Sequence, residues 1–144
     1  MCPTTTRLFK VVQLNVDAFN RHEGGPVDGP DPVRVDKLKE AFHEDAWIIF
    51  TDAARTLRKD LISNQFGNWA GPSRDSRRIT GRVISVTQAG YVASVLLGFD
   101  SSEGKGSSWV DFHALLRIDG VWKITNKTAT HSSRAGVRDR RILA

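Results

Sequence analysis

Apolar residues recur in steps of three and four at Phe9, Val12, Val16 and Phe19, behind the hydroxyl-rich Thr4-Thr5-Thr6. This spacing predicts an amphipathic helix with a threonine N-cap, ending near Arg21-His22. The turn cluster Glu23-Gly24-Gly25-Pro26 follows, and Gly29-Pro30 continues the loop. Asp31-Pro32 reads as an N-cap with proline at the first helical position, and Val35, Leu38 and Phe42 line a second helix that stops around His43. The continuous apolar run 46–50 predicts a buried strand. After a break at 51–53, Leu57, Leu61, Ile62, Phe66 and Trp69 predict a third helix that opens near Arg58 and closes before Ala70-Gly71-Pro72. From there the pattern is strand-like throughout: 79–87, a turn at 88–90, 91–99, a Gly/Ser loop at 101–107, then 109–118 and 121–130 joined by Asp119-Gly120. Helices followed by an antiparallel meander give an α+β domain, with about three helices on one face of a curled sheet.

The Asp119-Gly120 loop is the strongest local signal, because a two-residue hairpin turn needs positive φ at both positions. It sets Ile118 opposite Val121 and Arg117 opposite Trp122. Extending that register by simple alternation puts Trp109, Asp111, His113, Leu115 and Arg117 on one face, opposite Thr130, Thr128, Asn126, Ile124 and Trp122. His113 is then expected across from Asn126 and Asp111 across from Thr128, within hydrogen-bonding reach. Apolar walls around a few convergent polar groups describe a ligand pocket. The other face carries Val110, Phe112, Ala114, Leu116 and Ile118 against Ala129, Lys127, Thr125, Lys123 and Val121, a surface suited to a second subunit.

The stretch 109–127, WVDFHALLRIDGVWKITNK, together with Ala41-Phe42-His43-Glu44-Asp45-Ala46, resembles SnoaL-like proteins of the nuclear transport factor 2-like superfamily, closest to the subgroup described as lumazine-binding. The resemblance implies a cone: three helices closing over the concave face of a strongly bent sheet, a deep cavity, and homodimers formed through the outer sheet face. Tyr91 is the only tyrosine and stands at a strand start, so the tyrosine–carboxylic acid pair of the ketosteroid-isomerase branch is not carried over. The superfamily hosts isomerases, dehydratases, cyclases, epoxide hydrolases and binding modules, so it speaks for fold before chemistry.

The chain has 144 residues, a size suited to one domain, here 1–131 with a basic tail at 132–144. Its net charge of +5 suggests a polyanion partner until it is located. Arg74, Arg77, Arg78 and Arg82 stand against Asp75, and Arg134, Arg138, Arg140 and Arg141 against Asp139. The remainder is near neutral, which disfavours nucleic acid. No apolar run is long enough to span a membrane. A single cysteine and an N-terminus without the pattern of a secretion signal predict a cytoplasmic protein.

Asp111 and His113 lie about 7 Å apart by the rise of a strand and are the candidates for proton transfer. His113 would serve as general acid or base, and Asp111 would orient a donor or stabilise positive charge. Asn126 and Thr128 are expected to orient the substrate, Trp47, Trp69, Tyr91 and Trp109 to shape the cavity, and His43 to stand at its rim. The competing reading is that the four polar residues merely satisfy one another in a buried belt. Short-spaced ligand pairs for a metal, a phosphate-binding glycine loop and a nucleophile triad are all lacking, so neither metal nor cofactor is expected. The leading expectation is a cofactor-independent isomerase, dehydratase, cyclase or hydratase/hydrolase acting on an apolar substrate, with a cyclic one among the options. The alternatives are a non-catalytic ligand-binding module and a protein-interaction dimer.

Overall fold

The computed structural model describes residues 3–19, 35–52, 54–69, 79–101 and 108–129. The 23–30 loop, the Asp31-Pro32 cap, the arginines at 74, 77 and 78, the 102–107 loop and the 132–144 tail lie outside these residues, as do the side chains of Thr4, Thr5, Thr6, Phe19 and Trp69. The elements in order are α1 (Pro3–Phe19), α2 (Val35–Ala41), β1 (Phe42–Thr51), β2 (Leu57–Leu61), α3 (Ile62–Trp69), β3 (Ile79–Ala89), β4 (Val92–Ser101), β5 (Ser108–Ile118) and β6 (Val121–Ala129). The six strands form one sheet in the order β2-β1-β6-β5-β4-β3. All neighbours are antiparallel except β1 and β6, which run parallel. This is the expected α+β class, with one parallel pairing where an antiparallel sheet was expected.

Helix α1 buries Leu8, Val12, Asn15 and Val16, at the i, i+4, i+7, i+8 spacing of a single helical stripe. Leu8 takes the place expected for Phe9, which is 41% exposed. The helix docks closely on β3 at Gly81, where an added Cβ would come within 2.7 Å of the Phe99 ring and 3.0 Å of Val16. Glycine is therefore a steric requirement of this helix–sheet contact. Leu38, Phe42, Ile62, Phe66, Leu97, Phe99, Leu115, Trp122 and Ile124 join the stripe of α1 in a single core. Among the described residues no helix is long and apolar enough to cross a membrane.

Two element boundaries differ from expectation. Phe42 and His43 open β1 rather than closing α2. Residues 57–61 form β2 instead of the start of a helix, and Leu57, read as part of an apolar stripe, is 70% exposed. The cause is local side-chain chemistry. Asp52 accepts hydrogen bonds from the backbone N–H groups of Ala54 and Thr56 and from Arg58 Nε, folding a tight corner with Arg55 at φ 61°. That corner returns the chain antiparallel along β1, from Thr51↔Leu57 to Trp47↔Leu61. Asp60 then accepts from the Leu61 N–H and from the side chains of Asn64 and Gln65, which marks the start of α3.

Candidate functional site

The closing hairpin begins as its turn dictates. Asp119 (φ 50°) and Gly120 (φ 78°) take the required positive angles, and Ile118 pairs Val121. Leu115 still pairs Ile124, but Ala114 pairs Asn126, so Thr125 is an extra residue. This β-bulge shifts every later residue of β6 to the opposite face. His113 lies opposite Lys127, Phe112 opposite Thr128 and Asp111 opposite Ala129. The expected pairs His113–Asn126 and Asp111–Thr128 do not form. Asn126 and Thr128 lie on the outer face and share a hydrogen bond of 3.0 Å. Lys127, expected outside, is buried.

The consequence is a charged, hydrogen-bonding interior. Asp111 and His113 are both 0% exposed. Lys127 Nζ stands 3.3 Å from Asp111 Oδ2. Burial pushes the Asp111 carboxyl above the usual carboxylate range, while the Lys127 ammonium and the Trp109 indole pull in the other direction. Burial, with Lys127 adding to it, holds His113 well below its ordinary value of 6.5, so the imidazole is neutral at pH 7. A neutral imidazole carries one donor and one acceptor. Neither ring nitrogen of His113 has a hydrogen-bond partner, and the same holds for both amide atoms of Asn15 and for Nε1 of Trp122. The Asp111 oxygens engage Lys127 as an ion pair without forming a well-aligned hydrogen bond.

Aromatic rings pack beside this group. Phe42 meets the His113 ring edge-on, with centroids 5.7 Å apart, and meets Phe66 in the same way at 6.2 Å. Trp109 stacks on Phe99 at 5.3 Å. Phe42 also lines a cavity of about 320 Å³ together with Lys39, His43, Glu44, Ile62, Ser63 and Phe66; Asp111, His113 and Lys127 are not among its lining residues. His43 is one of the residues lining this cavity. Its Nδ1 accepts a hydrogen bond from the Asp45 N–H at 3.0 Å. The β1–β6 register breaks between Phe42 and Trp47, which leaves His43, Glu44 and Asp45 bulged out of the ladder beside this cavity.

The remaining candidates stand apart. Trp47 is 40% exposed beneath Lys59, whose ammonium lies 4.2 Å from the ring centroid, and Tyr91 is exposed in the β3–β4 turn with Arg117 over its ring. Neither joins the interior group. The sequence reading missed Lys127 and Asn15. Asn15 had a signal, since it interrupts an apolar helical stripe; the bulge that turns Lys127 inward had none in simple alternation.

Among the described residues no three histidine, cysteine or acidic side chains converge as metal ligands. The family described as "Putative lumazine-binding" matches residues 27–129. No curated protein matches the sequence. The fold is similar to that of a nuclear transport factor 2-like protein of unknown function from Shewanella baltica, at 19% identity and TM-score 0.69 over 90% of this chain and 94% of that one. A second such protein, from Methylobacillus flagellatus, matches at 19% identity and TM-score 0.67, over 90% and 93%. The association domain of C. elegans CaMKII shares the fold at 10% identity and TM-score 0.60, over 88% and 97%. The chain belongs to this lumazine-binding family, and its fold is the one seen in nuclear transport factor 2-like proteins.

Proposed function

We propose that this chain is a small-molecule enzyme of the SnoaL-like kind, acting without a cofactor by acid–base chemistry on an apolar, cyclic substrate held against the concave face of its sheet. The observation that carries this reading is the buried trio Asp111, His113 and Lys127 among aromatic rings. A carboxylate whose proton affinity is raised by burial is a better base near neutral pH. A neutral imidazole can donate to a developing oxyanion without first losing a proton. In an isomerisation, Asp111 would accept a proton from carbon next to a carbonyl, and the electron pair would move onto the carbonyl oxygen. His113 N–H would donate to that oxygen, Lys127 would offset its charge, and Asp111 would return the proton at another carbon. The roles of the two residues are thereby divided: Asp111 as base, His113 as donor. The cavity beside Phe42, with His43 at its edge, would take the apolar part of the substrate.

One observation favours the alternative of a non-catalytic binding module. The ion pair with Lys127 lowers the basicity of Asp111 and so opposes proton abstraction. Deuterium uptake at the α-carbons of cyclohexanone in D2O, followed by NMR, separates the two. The enzyme reading expects acceleration by the chain and a loss of about 100-fold or more in Asp111→Asn, with binding of 1-naphthol retained. Unchanged exchange with 1-naphthol binding that depends on His113 would establish the module instead.

The outer sheet face supports a homodimer. Val92, Phe112, Leu116, Ile118 and Val121 are all exposed there, and Leu116 pairs Val92 while Ile118 pairs Val121. One cysteine in 144 residues supports a reducing compartment such as the cytoplasm.

A further inference from the structure

The cavity beside Phe42 has an apolar floor and a charged rim. Its floor is Phe42, Ile62 and Phe66, all buried, with the two phenylalanine rings edge-on to each other. Its polar lining residues are Lys39, His43, Glu44 and Ser63. Three elements bring these together: Lys39 comes from α2, His43 and Glu44 from the bulged start of β1, and Ser63 from the first turn of α3. His43 Nδ1 already accepts the Asp45 N–H, so the ring donates through Nε2. Lys39 and Glu44 carry opposite charges on the same cavity, and among the described residues neither is in an ion pair. They stand too far apart to neutralise each other and close enough to face one small ligand.

We infer that this cavity binds an α-amino acid with an apolar, ring-bearing side chain, its carboxylate at Lys39 and its ammonium at Glu44. The inference rests on the proposed function only in calling the occupant a substrate, and it adds the head group that the rim selects. A ligand with a single charge meets a like charge on this rim whichever sign it carries: a plain carboxylate faces Glu44, and a plain amine faces Lys39. A zwitterionic head meets an opposite charge at both places. Ser63 Oγ–H and His43 Nε2–H are further donors for its carboxylate. The cavity volume of about 320 Å³ lies at the small end of ligand pockets, which suits one ring between Phe42, Ile62 and Phe66. Lys39 and Glu44 are exposed, so each ion pair contributes modestly. Ring burial therefore supplies affinity, and the rim decides which head group is accepted.

Titration calorimetry on the full chain tests this with three probes of one shape: L-phenylalanine; 3-phenylpropanoate, which lacks the ammonium; and 2-phenylethylamine, which lacks the carboxylate. L-Phenylalanine is expected to bind about fivefold more tightly than either, the upper end of what an exposed ion pair supplies. Lys39→Met should remove its preference over 2-phenylethylamine and keep that over 3-phenylpropanoate, and Glu44→Gln should do the reverse. Both side chains are exposed, so both variants should fold with an unchanged melting temperature. Equal binding of the three probes would overturn the inference, as would no binding of L-phenylalanine or preferences that survive both substitutions. The proposed chemistry is read separately, from cyclohexanone exchange and its dependence on Asp111. Asp111-dependent exchange without L-phenylalanine binding sinks the inference and leaves that chemistry standing. Selective L-phenylalanine binding without exchange sinks the chemistry and leaves the cavity as an amino-acid site.

Discussion

His113 determines how stability depends on pH. Its folded pKa lies below the ordinary 6.5, so between these values the unfolded chain binds a proton that the folded chain does not. Stability is therefore complete above about pH 6.5 and falls by up to about 1.4 kcal/mol per unit on acidification. Asp111 works in the opposite sense: its folded pKa is raised, so protonation on acidification favours the folded state. Denaturant midpoints across this range should slope downward towards acid, and His113→Phe should flatten that slope. Lys127 is tested by removing one charge of its pair. Lys127→Met strands the Asp111 carboxylate and should cost about 3–5 kcal/mol, whereas Lys127→Met with Asp111→Leu should recover much of the loss. Urea unfolding of the three proteins measures both effects. Asp111 and His113 were legible in the sequence because they lie two apart on a strand whose register follows from Asp119-Gly120. Lys127 was not, because its inward turn depends on Thr125 being accommodated as an extra residue. That choice is made by packing on both sides of the strand, with Trp122 and Ile124 buried on one side of Thr125 and Lys127 on the other.

At the scale of elements, the sequence order survives with a change of type at residues 57–61. A helical stripe and a short strand ending in a helix share the same apolar spacing there, and the hydrogen bonds of Asp52 and Asp60 decide between them. Periodicity records side-chain polarity, and it is blind to a carboxylate that folds the backbone back on itself. The parallel β1–β6 pairing was equally illegible, since it joins segments about 80 residues apart and no turn specifies it. It brings the bulged segment of β1, with His43, beside the hairpin that carries the polar interior. The docking of α1 on β3 can be probed at its closest approach. Gly81→Ala should destabilise the chain by about 1–3 kcal/mol, because Phe99 and Val16 must both move. Thermal unfolding would report it as a lower melting temperature without loss of strand content.

For the whole molecule, the bent sheet separates two kinds of surface. Its concave side encloses charge and hydrogen-bonding capacity in an apolar shell, and its outer side exposes Phe112, Leu116, Ile118 and Val121. If the outer face joins two copies, Phe112→Asp should shift sedimentation from dimer to monomer while leaving the circular dichroism spectrum intact. The central claim concerns the concave side: that His113 is a buried, neutral imidazole awaiting a ring-shaped ligand. The most direct measurement is side-chain 15N NMR of His113 in the full chain, titrated from acid to neutral pH with and without lumazine. The account predicts a ring that stays neutral well below pH 6.5 and whose nitrogen shifts change on adding lumazine. A ring that titrates near 6.5 and ignores lumazine would contradict it.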